Sequence, residues 1–353
     1  MDGILSDDIG SFPPPPGSSR EKLRAIAGKI IDGTYTDAEE EAFIQATVAS
    51  FTAKRSSGLD APTYPQIQEM IDGFYNPIER YVQSDTPYVI VGEKAIIPEV
   101  EVVKVFAERH VEEGGSPVNL RVCVTGPLDL YVRKISANVE PDILVNLGKS
   151  VGCFIQNALL DEVYIKTTVV SLDEPSLGLN PNIVVEQDNL IEAWNKATEH
   201  VKDLDVQVHL HAPSEAEIAY QTEKINVIGI ETAENPSNLN AINKEDLASH
   251  DKFLRVGIAR SNITALATEY EQAKGLNPLN VPSAAVAMVD DLESPQIILK
   301  RLENAHKIFG DRIKYAGPDC GLGLWPTSES AERLLANTVK ALAKFKAGKQ
   351  ALF

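Results

Sequence analysis

The feature that most constrains this chain is an alternation. Short β-branched and apolar runs recur along its length, separated by amphipathic stretches of helical period. The runs read as strands at Asp8–Phe12, Gly58–Thr63, Leu120–Thr125, Thr167–Leu172, Val206–Leu210, Val227–Ile230, Leu254–Ile258 and Ile313–Ala316. Helical stretches include Thr36–Ser56, Ser283–Phe309 and Ser328–Lys346. The first opens with Thr36-Asp37-Ala38-Glu39, the spacing of a capping box. Strands that alternate with helices imply an α/β fold with a parallel sheet, and eight of them close a barrel. The expectation is a single (β/α)8 TIM barrel over residues 1–353. An open doubly wound sheet would alternate in the same way, but no GxGxxG follows the first strand. Phe74–Glu112 interrupts the pattern and reads as an insertion after the second strand. Within it, Tyr88–Val91 and Ala95–Pro98 suggest a hairpin around Gly92-Glu93-Lys94.

The chain's 353 residues, 43% of them hydrophobic, can bury one large core. Its 33 basic and 51 acidic residues give a formal charge of −18. Phosphate backbones and anionic membranes would be repelled, so neither nucleic acid nor membrane is an expected partner. An acidic face for a basic protein partner is the weaker alternative to simple solubility. No run approaches the ~20 apolar residues of a membrane span. Cys123, Cys153 and Cys320 are sparse and odd in number, which suits a reducing cytoplasm better than a disulfide framework. Met1–Gly17 is acidic and proline-rich, and no signal peptide is read there.

Polar residues break the apolar pattern at the C-terminal ends of the strands: Gly10-Ser11, Asp173-Glu174, His209-Leu210-His211, Glu231-Thr232 and Asp319-Cys320. In a barrel these ends meet on one face, where active sites form. His211, Glu231 and Cys320 would bring an imidazole, a carboxylate and a thiolate to one point. Such a mixed set suits Zn2+, and three protein ligands leave a position for a substrate. A thiol bound there would lose its proton near neutral pH. Taken singly, each residue could instead be structural.

At these residues the sequence resembles the catalytic C-terminal barrel of cobalamin-independent methionine synthases, from Asp8 to about Pro326. The resemblance rests on six segments in the family's order: Asp8-Ile9-Gly10-Ser11-Phe12-Pro13, Val124-Thr125-Gly126-Pro127, Leu172-Asp173-Glu174-Pro175, Val208-His209-Leu210-His211, Ile228-Gly229-Ile230-Glu231-Thr232 and Pro318-Asp319-Cys320-Gly321-Leu322. It implies a zinc-dependent methyltransferase that methylates the thiol of homocysteine to give methionine, with His211, Glu231 and Cys320 as zinc ligands. Ile9 and Ser11 match positions that hold the homocysteine carboxylate. Asp173 and Gln66 match positions near its ammonium. Plainer roles stand beside these: a helix N-cap for Asp173, a turn hydroxyl for Ser11 and a solvated loop position for Gln66.

The chain resembles short members that lack an N-terminal folate-tail domain. For these the implied donor is a methyl-corrinoid, free or carried by a corrinoid protein, instead of methyl-folate. Two departures matter. The family's His-x-Cys is His211-Ala212-Pro213 here, so one thiolate is lost. Zinc is then held by three residues, or His209 or Glu215 moves in, or the site has drifted. Gly257-Ile258-Ala259-Arg260-Ser261-Asn262 replaces an Asp-x-His stretch that the family links to protonating the departing folate. Two competing functions remain: alkyl transfer to another thiol such as coenzyme M, and a non-catalytic thiol- or partner-binding barrel. A sulfonate thiol would call for basic residues where Asp173 and Gln66 stand.

Overall fold

The computed structural model describes residues 3–350. Its strands are β1 (Leu5–Ser6), β2 (Val82–Gln83), β3 (Thr86–Ile90), β4 (Val118–Thr125), β5 (Ile165–Asp173), β6 (Asp205–Leu210), β7 (Val227–Ile230), β8 (Phe253–Ala259) and β9 (Ile313–Pro318). Its α-helices are α1 (Arg20–Asp32), α2 (Asp37–Ser56), α3 (Asp72–Arg80), α4 (Pro98–Glu112), α5 (Pro127–Lys134), α6 (Pro141–Ala158), α7 (Gln187–Thr198), α8 (Lys244–Ser249), α9 (Ile263–Lys274), α10 (Ala285–Leu292), α11 (Pro295–Phe309) and α12 (Ser328–Gln350). Among the described residues no helix is long and apolar enough to cross a membrane.

Seven strands form one curled, parallel sheet in the order β1-β9-β8-β7-β6-β5-β4. The architecture is TIM-barrel-like, but the expected second strand, Gly58–Thr63, is not a ladder strand. Residues 61–66 instead make isolated parallel bridges to both edges of the sheet: Asp7 with Ala61, Ser11 with Gln66, and Thr63 with Arg121. The reason lies in Pro62 and Pro65, which have no N–H to donate. What remains is used: Ala61 N–H donates to Ser6 O at 3.0 Å, and Arg121 N–H donates to Pro62 O at 3.1 Å.

The first strand also differs from expectation. Its ladder covers Leu5–Ser6, not Asp8–Phe12. Gly10, at φ +120°, bends the chain away, and a Cβ there would lie 2.7 Å from Cys123 Sγ. The inserted hairpin pairs β2 with β3, while Gly92–Lys94 is a single 3-10 turn and Pro98 already begins α4. Thr36 caps α2 through the expected capping box with Glu39. The long stretch Ser283–Phe309 splits at Ser294, held extended before Pro295, which starts α11.

The interior of the curl is layered. Asp7, Arg121, Gln207 and Arg255, all fully buried, form one polar layer. Arg255 Nε donates to Asp7 Oδ1 at 2.9 Å, Gln207 Nε2 donates to Asp7 Oδ2 at 3.1 Å, and Arg121 Nη2 donates to Gln207 Oε1 at 3.2 Å. An adjacent apolar cluster joins Ala61, Val169, Val227 and Tyr315. The polar layer draws on the chain after β1 and on β4, β6 and β8. The apolar layer draws on residue 61 and on β5, β7 and β9. Alternate positions around the sheet thus fill alternate layers, as in TIM barrels. The outer faces of the strands pack under the helices, with Trp194, Phe154 and Leu172 fully buried there.

Candidate metal centre

The strand register brings the sequence-distant polar residues together. Side chains two apart on a strand share a face, so His209 and His211 both project from the end of β6 toward the interior. His209 is in register with Asp173 of β5 and with Gly229 of β7. Two residues beyond Gly229 comes Glu231, and Cys320 follows the end of β9. Ligand atoms of His209, His211, Glu231 and Cys320 all lie within 4.8 Å of one another. Among them, His211 Nε2 stands 3.4 Å from Glu231 Oε1 and 3.5 Å from Cys320 Sγ. A tetrahedron with zinc–nitrogen, –oxygen and –sulfur bonds of about 2.0–2.3 Å has edges of about 3.4 Å and about 3.5 Å between such atoms. The spacing therefore already fits a zinc-sized cation.

The electrostatics point the same way. Burial lowers the pKa of His211 and lowers that of His209 well below the ordinary imidazole value. Burial, reinforced by the Asp319 charge, pushes Glu231 up to about 7. Burial, reinforced by Glu231, pushes the Cys320 thiol up to about 12. Each group is driven toward its uncharged form, chiefly by burial, and the Arg255 charge offsets only part of that for Glu231. A divalent cation would reverse the trend for the carboxyl and the thiol. The His211 and Glu231 side chains are 29% and 21% exposed, so the cluster opens to solvent on that side.

A frame of hydrogen bonds holds the backbone that carries Glu231 and Cys320. Asp319 Oδ1 accepts the N–H groups of Thr232 and Ala233, both at 2.9 Å, and its Oδ2 accepts that of Glu234 at 2.7 Å. Asn238 Nδ2 donates to Glu231 O at 2.7 Å. Cys320 N–H donates to Ser261 Oγ at 2.9 Å, and Trp325 Nε1 donates to Ser261 O at 3.0 Å. Sequence reasoning gave Asp319 and Ser261 no role, although both lie inside segments it singled out. Their function is to position backbone, which leaves no spacing signature.

The expected substrate residues take varied places. Ser11 Oγ accepts the N–H of Gly323 at 3.2 Å and Ser11 O accepts that of Leu322 at 2.8 Å, so Ser11 abuts the loop that carries Cys320. Gln66 is buried and bridged to Ser11, which removes the solvated-loop role. Ile9 is buried beside them. Asp173 is the last residue of β5, and α7 begins only at Gln187 behind Glu186, so Asp173 is no N-cap for it. Asp173 Oδ1 accepts Ser171 Oγ–H at 2.9 Å. Burial raises its pKa to about 6, against the pull of Arg121 and Arg255. Glu215 stands in the 3-10 helix opened by Pro213 (Pro213–Gln221) and is not among the converging ligands. Arg260 donates through Nε to Glu293 at 2.6 Å and through Nη1 to Glu269 at 2.7 Å, so its side chain is engaged in an ion-pair network.

No family model matches the chain, and no curated protein matches it in sequence. Solved structures do match it in fold. A B12-independent methionine synthase from Shewanella sp. W3-18-1, in complex with selenomethionine, superposes with a TM-score of 0.61 at 13% identity, over 99% of this chain and 100% of its own. A protein from Listeria monocytogenes, assigned provisionally as a vitamin-B12 independent methionine synthase, gives 0.60 at 14% identity, over 98% of this chain and 99% of its own. Over essentially its whole length, this chain has the fold of B12-independent methionine synthase structures.

Proposed function

We propose that this protein is a zinc-dependent methyltransferase that methylates the thiol of L-homocysteine to give methionine. In this reading residues 1–353 act as one catalytic (β/α)8 barrel, with residues 61–66 in the place of the second strand. The observation that carries the reading is the convergence of His211, Glu231 and Cys320, with His211 Nε2 at tetrahedral-edge distance from both partners. The fold neighbours named as methionine synthases, one of them holding the selenium analogue of methionine, support the same substrate class.

Zinc held by His211, Glu231 and Cys320 supplies a Lewis acid that keeps a bound thiol deprotonated near neutral pH. The rest falls to the chain. An amino-acid zwitterion needs acceptors for its ammonium and donors for its carboxylate, at a fixed reach from the metal. Asp173, buried beside His209, offers the ammonium a carboxylate, and Gln66 offers an amide oxygen. Ser11 Oγ and the backbone at Ile9 face the carboxylate. Asp173 also disfavours a sulfonate thiol such as coenzyme M, because it would set a negative charge against the sulfonate.

A methyl-corrinoid, free or on a carrier protein, is the donor we favour. Homocysteine sulfur attacks the methyl carbon; the S–C bond forms while the donor's cobalt–carbon bond breaks, and the electron pair stays on cobalt. No proton is needed at that leaving group. The replacement of the family's Asp-x-His stretch by Gly257-Ile258-Ala259-Arg260-Ser261-Asn262 agrees with a donor that departs without a proton.

The test is elemental analysis and zinc-edge X-ray absorption of the purified chain, with and without homocysteine. About one zinc per chain, gaining a sulfur neighbour when the thiol is added, is the expected result. No zinc, or a zinc shell indifferent to homocysteine, would leave the fold without this activity and favour a non-catalytic barrel.

A further inference from the structure

We propose that His209 is a fourth protein ligand of the zinc centre, in the role left open where Pro213 stands. This rests on the reading of His211, Glu231 and Cys320 as zinc ligands. His209 is 2% exposed, yet among the described residues neither Nδ1 nor Nε2 has a hydrogen-bond partner. A neutral imidazole carries one donor and one acceptor. Leaving such a buried group unsatisfied forfeits its desolvation without return, so an orphaned ring in a close-packed interior calls for an explanation. Coordination of one nitrogen to a cation satisfies the acceptor and fixes the tautomer.

Geometry identifies the cation. One ring nitrogen of His209 lies within 4.8 Å of each donor atom on His211, Glu231 and Cys320. The rings of His209 and His211 are not stacked: their centroids are 5.3 Å apart and their planes are inclined at 69°. Two imidazoles on alternate residues of one strand can thus aim nitrogens at a shared point. Asp173, the in-register neighbour that could have partnered His209, is engaged with Ser171 instead. Pro213, at the start of its 3-10 helix, offers no donor atom. Charge also closes: two neutral imidazoles, one carboxylate and one thiolate balance a dication, and a buried centre without net charge avoids the penalty of burying an unpaired ion. The resting site is then an N2OS set, with a single protein thiolate.

The experiment uses the full chain loaded with zinc, and with cadmium for NMR. X-ray absorption counts imidazoles in the zinc shell, and nitrogen NMR of the cadmium form counts ring nitrogens coupled to the metal. Two imidazoles in the unaltered chain and one in His209→Asn, with zinc affinity by chelator competition reduced at least about tenfold, is the expected result. One imidazole in the unaltered chain, or an unchanged shell in His209→Asn, overturns the assignment of His209 and leaves the three-residue site intact. An unaltered chain that binds neither metal overturns both readings. If His209→Asn does not fold, the imidazole count of the unaltered chain decides alone.

Discussion

Asp319 accepts the backbone N–H of Thr232 at 2.9 Å, and that bond joins the strand end carrying Cys320 to the one carrying Glu231. The same carboxylate holds Ala233 and Glu234. It therefore fixes the separation of a thiol and a carboxylate that are far apart in sequence. Asp319→Asn keeps the size but turns an amide NH2 toward one of these donors. Zinc affinity is expected to fall about 10- to 100-fold, measured by chelator competition, with the circular dichroism spectrum unchanged.

Cys320→Ser removes the only thiolate of the cluster. Zinc is expected to be lost on dialysis, together with methyl transfer, while the fold is retained, because Cys320 holds its place through its backbone N–H to Ser261. Retained transfer in a zinc-free variant would sink the thiol-activation mechanism.

Asp173→Asn should act on substrate binding. Losing a charge-assisted contact to the ammonium, ~1.5–3 kcal/mol, raises the half-saturating homocysteine concentration by about tenfold or more, with a smaller effect on the rate at saturation. Steady-state kinetics at fixed methyl donor reads this directly. An unchanged half-saturation point removes Asp173 from the substrate pocket.

Breaking the polar layer should cost stability. Arg255→Met leaves Asp7 buried with only Arg121 Nε, 3.6 Å away, as ionic partner. Removing one member of a buried pair costs about 3–5 kcal/mol, and the remaining arginine places this variant near the lower end. Urea denaturation of both proteins at the same pH gives the difference.

Glu174 supplies a pH signature. It is fully buried and accepts Trp194 Nε1–H at 2.9 Å, Leu128 N–H at 3.1 Å and Asp129 N–H at 2.7 Å. Burial, with the Asp129 charge next, pushes its pKa up to about 8, and the three donors offset only part of that. A carboxyl raised in the folded state favours folding fully below its unfolded pKa, near 4.5, and loses that contribution as pH rises through the folded value. Relative to Glu174→Gln, the unaltered chain should therefore lose stability between about pH 4.5 and pH 8, by up to about 1.4 kcal/mol per pH unit. Chemical denaturation of both at pH 5, 6.5 and 8 checks the sign; stability of the unaltered chain that rises with pH relative to Glu174→Gln would contradict it.

Periodicity alone made the parallel α/β architecture legible, and with it the face on which the polar strand ends meet. Local chemistry was equally readable at Thr36–Glu39, where a capping box depends on residues three apart, whereas Ser283–Phe309 read as one helical stretch and the structure breaks it at Ser294–Pro295, because the residue before a proline is held extended. The second strand was misjudged because apolar pattern says nothing about donors: Pro62 and Pro65 leave residues 61–66 bridged without a ladder. The hairpin was misplaced because the register of a short, exposed pair is set by its turn and by packing against the helices.

The amino-acid order determined which residue types arrive at the strand ends: His209, His211, Glu231 and Cys320 follow from strand period and strand termination. Only the tertiary structure decided their distances, because the curl and stagger of the sheet set the separation of β6, β7 and β9. Only it showed His209 buried without a hydrogen-bond partner among the described residues, and Asp319 binding three amides. Burial and satisfaction of a polar group depend on what the rest of the chain packs around it, and no local spacing encodes that.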